Sequence, residues 1–263
     1  MQCTLRRLFL VAFVAWPIAT AEAIMLPMTL DSAQSSITLD GEFGGFPFSP
    51  QAVGSDTASY SGSILVDLDT LLSPSSIQLL GGTAVGSISG QWLPQAGGGV
   101  APGNPGAAQD ANYGLMIDLG NLAGGQDAFG AGRNFSFNVT SGVEAVAGGN
   151  FASNEVLTHL SGTFDANAPP VPALMFAGDA VSLPLTGAVL PNTSASSSTY
   201  VVVGSTATLT IPIQILLEVD DLQLTYTGKL VATARIPEPS TLGLLVVMAI
   251  FSFGMAKFTR ERR

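Results

Sequence analysis

The 263-residue chain has one cysteine, one histidine, two tryptophans and nine lysines and arginines, and each scarcity excludes something. Cys3 precedes the first apolar run, whereas a lipidated cysteine follows it, so a lipoprotein anchor is excluded. With no second thiol there is no intrachain disulfide, thiolate zinc site or iron–sulfur cluster. A lone His159 leaves no His-x-His, no HExxH and no second nitrogen ligand, which removes designed zinc, copper and non-haem iron sites. Any Ser/His/Asp machinery would have to use that residue, and Val156 and Leu160 around it read instead as a strand end with a half-buried ring. Between Ile24 and Ile236 the only cations are Arg133, Lys229 and Arg235, against acids spread along the whole stretch, so nucleic acid and anionic lipid surfaces repel this region. The glycine-rich stretches lack GxGxxG and GxxxxGK[ST] spacing, and no convergent set of catalytic residue types occurs, so an enzyme is not expected.

The two ends read as addresses. Arg6-Arg7 followed by the apolar run Leu8 to Ile18 and by Ala21-Glu22-Ala23 form a secretory signal peptide over 1–23, with signal peptidase cutting after the small residue Ala23. The arginine pair also fits a twin-arginine export signal, although the flanking Ser or Thr and the following Lys of that pattern are missing.

From 24 to 234 the chain alternates short apolar-polar runs with Gly, Pro, Asn and Ser clusters, the pattern of antiparallel strands with one dry face. Ile64, Val66 and Leu68 share a face, as do Phe135, Phe137 and Val139, then Tyr113, Leu115, Ile117 and Leu119, and Ala207 to Ile215 at every second position. Pro212 makes that last strand an edge or breaks it. Leu222–Tyr226 and Leu230–Ile236 read as a closing hairpin across Thr227-Gly228-Lys229, and the small-polar-plus-glycine pairs at Gly62, Gly90, Gly162, Gly187 and Gly228 as turns and strand starts. Pro94 to Gln109, rich in glycine and proline, reads as a mobile surface loop. The fold class is all-β, an antiparallel sandwich or jelly roll.

Few side chains suggest a ligand. Trp92, the one tryptophan of the body, stands beside the glycine-rich loop, where an indole stacks on a sugar or packs in a core. Asp67 and Asp69 project from one side of a strand, an oxygen-only pair suited to calcium, or simply a wet strand face. No other cofactor is expected. These residues define the alternative reading, a carbohydrate- or calcium-binding β-sandwich module. Asn134, Asn138 and Asn192 fit the N-glycosylation pattern.

The C-terminal stretch is the most specific. Pro237-Glu238-Pro239 is followed by an apolar run over 241–258, long enough at about 1.5 Å per residue to span a bilayer as a helix. Lys257, Arg260, Arg262 and Arg263 close it, a stop that holds the end in the cytoplasm and puts the body outside. In triplet, helix and basic cluster, 235–263 resembles the PEP-CTERM sorting tail, a segment also catalogued as the C-terminal region of ice-binding proteins. The resemblance implies an exported protein whose tail is read by an exosortase, a membrane-embedded cysteine transpeptidase. It implies cutting near the triplet and delivery to the cell surface or an extracellular polysaccharide matrix. A plain single-pass membrane anchor is the alternative for the tail.

Overall fold

The computed structural model describes residues 23–97, 100–219 and 221–236. These form strands β1 (Ile24–Leu30), β2 (Ser36–Phe43), β3 (Phe46–Pro47), β4 (Ser49–Pro50), β5 (Thr57–Leu68), β6 (Ser76–Gly86), β7 (Gly90–Trp92), β8 (Gln109–Ala111), β9 (Tyr113–Ile117), β10 (Ala128–Thr140), β11 (Val143–Ala145), β12 (Asn150–Phe151), β13 (Val156–Ala168), β14 (Asp179–Pro184), β15 (Val189–Pro191), β16 (Ser198–Val203), β17 (Thr206–Val219) and β18 (Leu222–Arg235). Two short 3-10 turns, Gly120–Ala123 and Pro172–Leu174, are the only helical pieces among the described residues. The fold is all-β and its paired strands run antiparallel. The alternating runs read from the sequence lie in strands with their apolar face inward, Ile64, Val66, Leu68, Phe135, Phe137, Val139, Leu209, Ile211 and Ile213 all being buried, except that β9 ends at Ile117 and the buried Leu119 stands beyond it. The stretch up to Glu22 read as a signal peptide and the stretch from Pro237 read as a sorting tail, with its apolar run at 241–258, lie outside the described residues. No helix among the described residues is long and apolar enough to cross a membrane.

Hydrogen bonding runs through one sheet in the order β12-β16-β17-β18-β1-β5-β6-β10-β13-β14, with β2 beside β1 between β18 and β5, and β7 and β8 form a separate ribbon. The sheet curls until its distant strands face each other. Tyr226 on β18 lies 6.0 Å, ring to ring, from Phe137 on β10, and the two meet edge to face around the buried His159 and Phe135. Burial of this aromatic centre, not local propensity, is what favours the curl.

Glycines permit the bending. Gly228 has φ +154, and a Cβ there would stand 2.1 Å from the Ser36 carbonyl oxygen of β2; Gly62 on β5 stands likewise against Thr83 of β6, at 1.8 Å. Only glycine admits so close an approach of neighbouring backbones. The hairpin expected at Thr227-Gly228-Lys229 is therefore absent: β18 runs unbroken for 14 residues through Gly228. The final hairpin is instead β17–β18, with Val219 paired to Leu222. Gly62 and Gly162 are also strand-interior positions, while Gly90 does begin a strand and Gly187 does lie in a connection between strands. Pro212 leaves β17 unbroken and paired to Lys229 of β18, on a stretch beyond the last residue paired with β16, Thr210. The strand is therefore neither broken nor an edge, since β16 and β18 flank it; Pro212 is accommodated because β16 pairs with β17 only as far as Thr210.

Register also fixes two poles. Ile24 pairs with Leu68, and Thr29 pairs with Thr233, so β1 begins at the end of the molecule where β18 finishes. At the opposite pole Phe43 pairs with Leu222, separated from Arg235 by the 14 residues of β18, about 45 Å along the strand.

Candidate functional site

Trp92, Asp67 and Asp69 occupy separate places. Trp92 ends β7 half-buried, its ring packed on the backbones of Gly90 and Gly114, where an added Cβ would meet it at 2.6 and 2.4 Å. Its indole N–H donates to the Ser89 hydroxyl at 2.8 Å. The ring is thus fixed by its own ribbon and by β9, with one face already committed.

Beside it lies a buried polar centre that the sequence did not reveal. Arg133 of β10 donates its Nε–H to Asp165 of β13 at 3.0 Å, with both side chains almost wholly buried. Its terminal nitrogens donate to the carbonyls of Gln109 and Asp110 on one side and of Trp92 and Pro94 on the other. All five donors of the guanidinium are used, which an ammonium could not reproduce. The other Asp165 oxygen accepts the Gly97 amide, and Asn167 bridges Gly103 N–H and the Ala101 carbonyl. Gln51 adds donations to Leu93, Leu115 and Gly130. The connector expected to be mobile is therefore fastened at both ends and in its middle. Its glycines and prolines expose carbonyls and amides that a buried arginine, aspartate and asparagine collect.

Asp67 and Asp69 stand at the pole where β1 begins, around a shallow cavity of about 170 Å³ that Ala23 also lines. Asp69 shapes the β5–β6 turn: it accepts the Ser75 hydroxyl at 2.5 Å and the amides of Thr70, Ser75 and Ser76. The Ser75 hydroxyl above all holds its carboxyl below the usual range; burial opposes it next, and the amides of Ser76, Ser75 and Thr70 add to the lowering. Its lone pairs are thus engaged by protein donors. No group of three or more His, Cys, Asp or Glu side chains converges among the described residues. Asp221 is exposed at the opposite pole.

His159 sits in the interior of β13 and is fully buried, not at a half-buried strand end. Its Nδ1 faces the Ser161 carbonyl at 3.2 Å and its Nε2 faces the Tyr226 hydroxyl at 3.3 Å. Burial lowers its pKa to about 4, opposed by the Ser161 contact, so the ring is neutral at physiological pH. No carboxylate or serine hydroxyl contacts it among the described hydrogen bonds; Phe135, Phe137 and Tyr226 surround it. A second buried acid, Glu155, accepts Ser198 and Asn192 and has its pKa raised by burial against those bonds. No family model matches the chain, and neither a curated protein nor a solved structure matches it.

Proposed function

We propose that this is an exported, non-enzymatic surface or matrix protein, sorted by an exosortase through Pro237-Glu238-Pro239 and held before processing by the apolar run at 241–258 with its basic end. In this reading the body is a β-sandwich or jelly roll, and extracellular polysaccharide is its surroundings. The observation that carries the reading is the sequence of the tail itself. The position of its attachment is consistent with it: Arg235 ends β18, Ile236 is buried with its amide bonded to the Ser205 carbonyl, and the triplet follows next in the sequence. Force on the tail would load β18 in shear against β17 along its whole length, a geometry in which many backbone hydrogen bonds resist together.

The test is the mass of the mature protein in cells with and without an exosortase, for the native chain and for one with Pro237-Glu238-Pro239 changed to alanines. Sorting requires loss of the Arg263 end only in the native chain and only with the enzyme. Retention of Arg263 in all four cases makes the tail an ordinary anchor.

A further inference from the structure

We propose that the pole opposite the end of β18 carries a binding site for a small organic cation with an apolar body. Two adjoining cavities of about 220 and 190 Å³ open there, and Phe43 and Asp221 line both. Phe46 and Phe176 wall the first, Phe164 the second, with aliphatic side chains between them. Asp179 at the start of β14 and Asp221 at the β17–β18 tip are exposed on the rim. Among the described residues neither carboxylate accepts a hydrogen bond or meets a cation: Arg133 is spent on Asp165, and Lys229 and Arg235 lie further along β18 toward the other pole.

Those features select the charge of the occupant. Phenyl faces present negative quadrupole density to a cation within about 6 Å, and two unpaired carboxylates add to the same field. An anion meets repulsion from the rim and from the net charge of −10. Size follows from volume: a cavity of about 150 Å³ admits a benzene, so a single ring or branched chain bearing an ammonium group fits. The site does not depend on how the tail is processed, and it lies at the pole opposite Arg235, the end of β18.

The experiment uses the full-length chain in lipid nanodiscs and three probes of one shape, read by saturation-transfer NMR and titration. Benzyltrimethylammonium is the cation, neopentylbenzene its neutral isostere and phenylmethanesulfonate the anion. The cation should bind at least about tenfold tighter than the other two. Asp221→Asn and Asp179→Asn should each weaken the cation several-fold and leave the neutral probe unchanged, while Glu144→Gln near the other pole changes neither. Added salt should weaken only the cation. Equal affinity for the three probes, preference for the hydrocarbon or the anion, absence of binding, or indifference to Asp221→Asn and Asp179→Asn would overturn the assignment.

Discussion

The side-chain amide of Asn192 replaces a peptide group against Gln214: its oxygen accepts the Gln214 amide at 3.0 Å while its nitrogen donates to the Pro212 carbonyl at 2.7 Å. The Thr193 amide then donates to the Gln214 carbonyl. Through this pair the chain after β15 is joined to β17 where β16 has ended, and the curled sheet is stitched to itself. Pro212, which has no N–H to satisfy, needs on that side only this one donor for its carbonyl.

Removing that stitch should be costly. Asn192→Ala leaves the Gln214 amide, the Pro212 carbonyl and one Glu155 oxygen without their partner; the Glu155 oxygen is the buried one of the three, and a loss of roughly 1–3 kcal/mol follows from that group alone. Urea unfolding measures it. A variant within 0.5 kcal/mol of the native chain, the usual range of surface substitutions, would show that the stitch is ornamental.

The guanidinium of Arg133 predicts a difference between two basic residues. Arg133→Lys keeps the charge but loses the fork, so the 94–109 connector should become a site of limited proteolysis while the sheet survives. Arg133→Met leaves Asp165 buried without its cation and should cost about 3–5 kcal/mol, part of which Asp165→Asn restores. A protease pattern unchanged in Arg133→Lys contradicts the fastening.

Acid should weaken the fold through His159. Its pKa falls from 6.5 to about 4 on folding, so the unfolded chain binds the proton first. The stability this provides is complete above pH 6.5 and is lost as pH falls toward 4, roughly 3 kcal/mol in total. Glu155 acts oppositely, since its raised pKa adds stability below the ordinary value of 4.5 that is lost as pH rises. Comparing native and His159→Gln chains from pH 7 to pH 4 isolates the imidazole: the variant should show the flatter profile, and parallel profiles refute the assignment.

Glycines of similar local sequence should answer differently to alanine. Gly228→Ala drives a methyl to 2.1 Å from the Ser36 carbonyl, whereas Gly187, with φ +85, has nothing within 4 Å. The second change should cost on the order of 1 kcal/mol from backbone strain alone, and the first at least twice that. Equal thermal shifts would return Thr227-Gly228 to the role of a turn.

These positions also mark the boundary between sequence and structure. Period-two alternation by itself determined that the body is β-rich and which residues face inward, because strand geometry puts every second side chain on one side whatever the partner strand. Composition by itself likewise determined the acidic character of the body, a property that needs no fold. Gly228 shows where that stops: Thr-Gly-Lys is equally good as a turn or as a strand approached by Ser36, and the choice rests with β2, nearly two hundred residues away. Arg133 gives no local sign that it will collect the carbonyls of Trp92, Pro94, Gln109 and Asp110, nor does Phe43 announce a cleft shared with Asp179 and Asp221. Only the curled sheet brings such groups together, because long-range backbone pairing and burial of the aromatic centre decide which strands become neighbours.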